Sequence, residues 1–274
     1  MPSAIITGSA QGIGKSIARS LAQAGYDVTI NDLPSQNDKL EEFAKEIEGI
    51  GRKVVIYTGD VSEETDVKKM IATTVEQLGG LDVMVANAAA TDLRLLKPIS
   101  AGWNICLEYH ERFCLTMSTL IATVEEWDRV HAVNTRGTFL CYKYAAEQMI
   151  SQGRVGRIIG ACSASGKRGD PNMAAYSVSK FAIRGLTQCA ALEYGKHGIT
   201  VNAYSPGVVK TELIAAHLGT PWMDGSINKY VEVSALGKVA EMTDIAKIVV
   251  FLASKESEFI TGQTLNVDGG LHVD

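Results

Sequence analysis

Three residues in the second half of the chain have the types and spacing needed for proton transfer. Tyr176 and Lys180 stand four positions apart in a segment predicted to be helical, so both side chains lie on one face of that helix. Ser163 precedes Tyr176 by 13 residues, at the carboxyl end of a predicted strand. A Tyr–Lys pair alone is typical of an ordinary helix surface. With Ser163 and the glycine-rich loop described below, it predicts a site that delivers a proton to a developing alkoxide.

The pKa of the Tyr176 phenol decides how well such a site works. A free tyrosine has a pKa of about 10, too high for a group that must lose and regain a proton near neutral pH. An ammonium one helical turn away favours the phenolate, and lowering the pKa by about 3 units takes roughly 4 kcal/mol. We therefore expect Lys180 to lower the pKa of Tyr176.

A glycine-rich loop near the start of the chain predicts a nucleotide site. It lies between the first predicted strand and helix and contains Gly8, Gln11, Gly12, Ile13 and Gly14. Glycines permit a tight turn there and let backbone amides approach a pyrophosphate at the helix N-terminus. Read by itself, such a glycine cluster is often a simple turn. The repeated strand–helix pattern that follows favours the nucleotide interpretation.

Asp32 bears on the choice of dinucleotide. It follows Gly14 by 18 residues, at the end of the second predicted strand. A carboxylate there accepts hydrogen bonds from the adenosine ribose hydroxyls and repels a 2′-phosphate. Gln11 stands where a cation would be needed for that phosphate. These residues predict NAD(H) in preference to NADP(H), although Asp32 also suits a turn before Leu33.

Two further strand ends carry candidate cofactor contacts. Asp60 and Val61 follow the third predicted strand and could hold the adenine edge. Asn87 follows the fourth predicted strand, and small residues after it let the backbone run close to a cofactor.

Short apolar runs alternate with longer helical stretches along nearly the whole chain. Among the predicted elements are strands over Leu81–Ala86 and Gly156–Ala161 and helices over Thr123–Met149 and Ala174–His197, with a capping box at Thr123. Strands without polar alternation are typical of a parallel sheet covered on both faces. The sequence therefore predicts an α/β fold: one doubly wound (Rossmann) parallel sheet flanked by helices, spanning residues 1–274 as a single domain.

Composition excludes several other classes of protein. The chain has a formal net charge of −5, is 46% hydrophobic and 21% charged, and has no run of about 18 apolar residues. The Lys and Arg residues do not cluster, which argues against a nucleic-acid-binding surface. The basic segment that begins a signal peptide is not seen, so none is expected. The five cysteines have no CxxC spacing, which favours a reducing, cytoplasmic location. The five histidines do not have the spacing of metal ligands, so we expect no metal site.

Taken in order along the chain, these motifs resemble the short-chain dehydrogenase/reductase family. The matching positions are the glycine loop from Thr7 to Gly14, Asn87-Ala88-Ala89, Asn134, Ser163, Tyr176, Lys180, and the segment from Pro206 through Val209 to Thr211. The resemblance implies that Tyr176 is the acid/base and that Ser163 polarises the substrate carbonyl. It implies that Lys180 binds the nicotinamide ribose and that Asn134 holds a water in the proton relay. Val209 and Thr211 would meet the nicotinamide carboxamide, and the chain would form a homotetramer or homodimer.

Within the family, the segments around Ser163, Tyr176 and Thr211 are similar to those of diacetyl/acetoin reductases, also called 2,3-butanediol dehydrogenases. Those enzymes usually carry Gln and Asn where this chain has Ala164 and Asp170. The resemblance implies an NAD(H)-dependent oxidoreductase acting on diacetyl, acetoin or 2,3-butanediol. Alternatives are a polyol, sugar or 3-oxoacyl reductase of the same family, or a dinucleotide-binding sensor without turnover.

Two segments have no settled interpretation. About 20 residues more than the family pattern stand between Pro98 and Thr123, and Ser100–Leu120 is too apolar for a solvated loop. Three hypotheses apply to this insert (about 100–120): a lid or oligomer contact, a neutral surface excursion, or a gene-model artefact. Farther on, Trp222, Met223 and Tyr230 could form an apolar roof over the substrate or serve as ordinary packing residues.

Overall fold

The computed structural model describes residues 1–90, 119, 122–171, 173–212 and 221–273. Within these residues the strands are β1 (Ser3–Thr7), β2 (Asp27–Asp32), β3 (Val54–Thr58), β4 (Val83–Ala86), β5 (Gly156–Ala161), β6 (Ile199–Pro206), β7 (Val209–Lys210), β8 (Ala240–Glu241) and β9 (Thr264–Val267). The helices are α1 (Gly12–Gln23), α2 (Asn37–Gly49), α3 (Glu64–Leu78), α4 (Val124–His131), α5 (Thr138–Ser151), α6 (Ala174–Tyr194), α7 (Pro221–Val233) and α8 (Met242–Ala253).

Seven of the strands form one parallel sheet in the order β3-β2-β1-β4-β5-β6-β9. Strands β1, β4, β5 and β6 are buried along their whole length, as expected for parallel strands covered on both faces. Strands β2 and β3 lie on one side of β1, whereas β4 and the later strands lie on the other side, so the strand order reverses between β1 and β4. Ligands of doubly wound sheets bind at such a reversal, at the carboxyl ends of the strands. The predicted α/β fold is confirmed.

Helices cover the two faces of this sheet and build two apolar cores. Side chains of α1, α2 and α8 pack on one face, where Leu21, Phe43 and Val249 are almost fully buried. Side chains of α3, α5 and α6 pack on the other face, around Met70 and Met149. No helix in the described part of the chain is both long enough and apolar enough to cross a bilayer.

The predicted Thr123–Met149 stretch is confirmed as helical, but it is not one uniform α-helix. Its capping box is confirmed, because Thr123 accepts a hydrogen bond from the Glu126 amide and the Glu126 side chain accepts one from the Thr123 amide. However, a π-helical segment, Ala132–Gly137, separates α4 from α5. One wide turn does not disturb apolar periodicity enough to be seen in a sequence, and such turns are frequent at functional sites.

Smaller differences concern the ends of elements. The predicted Leu81–Ala86 strand begins at Val83, and the predicted Ala174–His197 helix ends at Tyr194, followed by a 3₁₀ turn. Helix α7 and the small β7–β8 pair were not predicted. Apart from Thr119, the insert at about 100–120 lies outside the described residues.

Candidate active site

Ser163, Tyr176 and Lys180 meet at the carboxyl end of β5. Ser163 follows this strand directly, while Tyr176 and Lys180 project from the first two turns of α6. The side chains of Ser163 and Tyr176 share a hydrogen bond. The Lys180 Nζ lies 5.3 Å from the centroid of the Tyr176 ring and donates a hydrogen bond of 2.8 Å to the carbonyl oxygen of Ala161. The predicted cluster of hydroxyl, phenol and ammonium therefore exists in the fold.

Burial controls the electrostatics of this cluster. It raises the pKa of Tyr176 to about 12, with the hydrogen bond from Ser163 acting in the opposite direction. Burial also lowers the pKa of Lys180 to about 8. The pKa of Tyr176 is therefore raised and not lowered as expected, because withdrawal from water disfavours the phenolate and is the largest effect on this group.

Asn134 lies in the π-helical segment and is fully buried. Its Oδ1 accepts a hydrogen bond of 2.7 Å from the Ala90 amide, and its Nδ2 donates to the Ala90 carbonyl oxygen and to Ser179 Oγ, at 3.0 and 3.1 Å. Ser179 Oγ in turn donates to the carbonyl oxygen of Tyr176 at 2.7 Å. Both amide hydrogens of Asn134 are thus engaged, and the side chain ties the segment after β4 to the helix that carries the phenol.

The glycine-rich loop passes closely over the end of β4. A Cβ atom on Gly14 would come within 2.1 Å of the Gly8 carbonyl oxygen, and Gly8 itself has a φ of 65°. Only glycine fits at position 14, where a side chain has no space, and glycine is favoured at position 8, where the backbone is left-handed. Gln11 precedes α1 without a side-chain hydrogen bond to the first-turn amides, including that of Ile13. These amides can therefore bind an anion at the positive end of the helix.

Asp32 reaches the same loop from the end of β2. Its Oδ2 accepts a hydrogen bond of 3.1 Å from the Ala10 amide, and its Oδ1 accepts one of 2.9 Å from the Leu33 amide. Sequence reasoning missed a neighbour of opposite charge: Lys39 Nζ donates to Gln11 Oε1 at 2.8 Å. Lys39 and Gln11 are 28 residues apart in the sequence, so their contact exists only in the folded chain. It brings a cation to Gln11, where the sequence alone predicted none.

Asn87 holds the glycine loop against β4. Its Nδ2 donates to the carbonyl oxygens of Thr7 and Gly8 at 2.8 and 3.1 Å. Its Oδ1 accepts a hydrogen bond of 2.8 Å from the hydroxyl of Tyr204, a buried residue of β6 that sequence reasoning did not single out. Asn87 is therefore fixed from both sides.

The other predicted cofactor residues lie at different strand ends. Asp60 follows β3, and its Oδ1 accepts a hydrogen bond of 2.8 Å from the Ser62 amide, while Val61 is buried. Val209 is buried in the β7–β8 pair, and Thr211 follows β7. Tyr230 is buried, and its hydroxyl donates to the Asp268 carbonyl oxygen, which fits the packing interpretation rather than the roof.

Comparison with known proteins supports one family. The family model described as enoyl-(acyl carrier protein) reductase, adh_short_C2, matches residues 8–272. A short-chain dehydrogenase/reductase of Armillaria gallica is 48% identical over 99% of this chain and 96% of its own length. The chain belongs to the short-chain dehydrogenase/reductase family. It is therefore an oxidoreductase, and it shares the family's binding of a nicotinamide cofactor.

Other members of the family differ in their named substrates. The L-2,3-butanediol dehydrogenase of Corynebacterium glutamicum is 37% identical over 98% of this chain and 97% of its own length. A 3-oxoacyl-[acyl-carrier-protein] reductase of Staphylococcus epidermidis is 36% identical over 99% of both chains. The crystal structure of a short-chain dehydrogenase/reductase from Mycobacterium marinum has a TM-score of 0.82 and 30% identity, covering 100% of this chain and 96% of that one. Family membership is thus clear, whereas two substrate classes have nearly equal similarity.

The residues present fit a nicotinamide dinucleotide. The glycine cradle and the uncapped first turn of α1 offer the space and the free amides that a pyrophosphate requires, and the Asp32 carboxylate offers the acceptor that a ribose requires. Among the described residues, no group of three or more His, Cys, Asp or Glu side chains could hold a metal ion.

Proposed function

We propose that this short-chain dehydrogenase/reductase transfers a hydride between NAD(H) and a small ketone or secondary alcohol, with acetoin, diacetyl or 2,3-butanediol as substrate. The observation that carries the proposal is the hydrogen-bonded Ser163–Tyr176 pair with Lys180 beside it, at the sheet edge that also bears the glycine loop. The choice of substrate is supported by the segments shared with acetoin reductases and by similarity to the butanediol dehydrogenase.

In the direction of reduction, Ser163 donates a hydrogen bond to the substrate carbonyl and Tyr176 gives its phenolic proton to the oxygen as the alkoxide develops. A nicotinamide held at this edge of the sheet would supply the hydride in reduction and accept it in oxidation. Lys180, with a pKa of about 8, is mainly an ammonium at neutral pH and stabilises the phenolate left behind. We assign to Asn134 the water of the proton relay, as the family resemblance implies; both of its side-chain amide hydrogens are engaged with Ala90 and Ser179 and are not available to that water.

The two directions of the reaction therefore differ in pH dependence. Reduction uses the protonated phenol, which burial favours by raising the pKa of Tyr176 to about 12. Oxidation of an alcohol needs the phenolate. We expect oxidation to speed up with rising pH and reduction to slow down or stay level.

Cofactor selectivity follows from the adenosine end of the site. Asp32 favours the free ribose hydroxyls of NAD(H) and repels the 2′-phosphate of NADP(H). Lys39 acts against this preference, but it is exposed and hydrogen-bonded to Gln11. We assign contacts with the adenine to Asp60 and Val61, and contacts with the nicotinamide half to Asn87, Val209 and Thr211.

Self-association and location complete the proposal. Exposed apolar side chains on α5 and α6 (Phe139, Val178 and Phe181) support assembly into a homotetramer or homodimer. Cys141, Cys162 and Cys189 have free thiols, which supports a cytoplasmic location.

A second candidate is reduction of 3-oxoacyl thioesters, which is favoured by the similarity to the acyl-carrier-protein reductase. The non-catalytic sensor is disfavoured, because such a protein has no need of a complete set of Asn134, Ser163, Tyr176 and Lys180.

A substrate panel tests the proposal. NADH oxidation is followed at 340 nm with acetoin, diacetyl, a 3-oxoacyl thioester and a keto sugar, and each is repeated with NADPH. The proposal predicts the highest kcat/KM for acetoin or diacetyl with NADH. A higher value for the thioester would replace the substrate assignment, and tight NADH binding without turnover of any compound would favour the sensor.

A further inference from the structure

A carboxylate outside the predicted catalytic set is connected to Ser163 through one intermediate residue. Asp170 Oδ2 accepts a hydrogen bond of 2.6 Å from the hydroxyl of Ser165. The backbone amide of Ser165 donates a hydrogen bond of 3.2 Å to Ser163 Oγ. Ser165 is buried within the short 3₁₀ turn Ala164–Gly166, so its side chain has few alternative partners.

The amide of Ser165 determines where the Ser163 hydroxyl can direct its own proton. A serine hydroxyl has one hydrogen to donate and two lone pairs that accept. With one lone pair occupied by the Ser165 amide, the proton of Ser163 is directed away from the turn, toward the side where Tyr176 lies. This is the orientation needed to donate to a substrate oxygen.

We propose that Asp170 is a positioning residue that fixes the orientation of the Ser163 hydroxyl by anchoring Ser165. The inference rests on the proposed roles of Ser163 and Tyr176 and extends them to a residue in the loop before α6. An asparagine at this position would keep the hydrogen-bond acceptor without the charge.

The charge of Asp170 has a separate effect on the phenol. It raises the pKa of Tyr176, in the same direction as burial. Among the described residues, the other titratable groups that face Tyr176 are Lys180 from its own helix, Cys162 from the end of β5 and Tyr204 from β6. Because the Asp170 carboxylate raises the pKa of Tyr176, its replacement by a neutral residue is expected to lower that pKa.

Positioning and charge can be separated with three variants. Ser165→Ala removes the anchor and keeps the charge, Asp170→Asn keeps the anchor and removes the charge, and Asp170→Ala removes both. Each is compared with the wild type by measuring kcat and KM against pH for the best alcohol and ketone of the panel. Glu76→Gln, which removes one exposed negative charge on α3, is the control for net charge.

The expected results differ for each variant. Ser165→Ala lowers kcat about tenfold at unchanged midpoint pH, because misorientation of a reacting group slows the chemical step. Asp170→Asn keeps kcat within about twofold and shifts the midpoint for alcohol oxidation to lower pH. Asp170→Ala shows both changes, and Glu76→Gln shows neither.

The inference is overturned if the wild type turns over its substrate while Ser165→Ala and Asp170→Ala both keep the wild-type kcat. It is also overturned if Asp170→Asn loses as much kcat as Asp170→Ala, because the acceptor would then not matter. No turnover by the wild type would sink the proposed function itself, and the inference with it.

Discussion

Replacing Lys180 with Met measures how much free energy the buried Lys180 ammonium costs the folded protein. Lys180 is 2% exposed, and burial lowers its pKa to about 8 from 10.5. This difference corresponds to about 3 kcal/mol that the ammonium costs the folded state at neutral pH. Methionine removes that cost but leaves the Ala161 carbonyl without its hydrogen bond. A buried acceptor without a partner destabilises the folded state by about 1–3 kcal/mol. We therefore expect Lys180→Met to be as stable as the wild type at pH 7, or up to about 2 kcal/mol more stable.

The pH dependence of this comparison has a definite sign. Between about pH 8 and 10.5 the folded wild type has released the Lys180 proton while the unfolded chain still holds it. The free energy of unfolding of the wild type therefore rises with pH across this window, relative to Lys180→Met, by about 3 kcal/mol in total. Below pH 8 the difference stays constant.

Urea unfolding at several pH values between 7 and 10, at a fixed protomer concentration, measures this difference directly. Lys196→Met is the control, because Lys196 is an exposed lysine in the 3₁₀ turn after α6 and its replacement removes a charge that is not buried. A wild-type stability that does not rise relative to Lys180→Met between pH 8 and 10 would show that Lys180 keeps its proton in the folded state across this range. A loss of more than about 3 kcal/mol at pH 7 in Lys180→Met would also refute the reasoning.

Three other substitutions test the binding site and its support. Asp32→Ala should lower the ratio of kcat/KM for NADH over NADPH at least about tenfold, and an unchanged ratio would remove Asp32 from cofactor selection. Gly14→Ala should abolish NADH binding measured by fluorescence, because its Cβ would lie 2.1 Å from the Gly8 carbonyl oxygen, whereas Gly49→Ala, with open space around it, should bind normally. Asn134→Ala leaves buried polar groups unpaired and should lower the free energy of unfolding by about 2–4 kcal/mol in urea; an unchanged midpoint would contradict the bridging role.

The sheet could be predicted because its signals are local. Strand β5, Gly156–Ala161, was predicted with its observed bounds, since an apolar run between turn residues is typical of a buried parallel strand. Ser163 and Tyr176 could be brought together in advance because one ends a strand and the other begins the next helix. Alternation of strand and helix then requires that both lie at the same edge of the sheet.

What could not be predicted depends on distant partners and on the depth of burial. The contacts of Tyr204 with Asn87 and of Lys39 with Gln11 join residues far apart in the chain, and no local pattern marks them. The pKa of Tyr176 depends on how completely the fold excludes water around it, which residue spacing does not contain. The π-helical turn escaped because it changes the helix by a single wide turn.

Single-turnover oxidation of NADH by the wild type and by Tyr176→Phe, with acetoin as acceptor, measures whether the Tyr176 hydroxyl delivers the proton. The phenylalanine keeps the ring and removes the transferable proton. We expect a rate at least about 100-fold lower in Tyr176→Phe, with the Kd for NADH within about twofold of the wild type. A variant that retains a tenth or more of the wild-type rate would show that the Tyr176 hydroxyl does not deliver the proton.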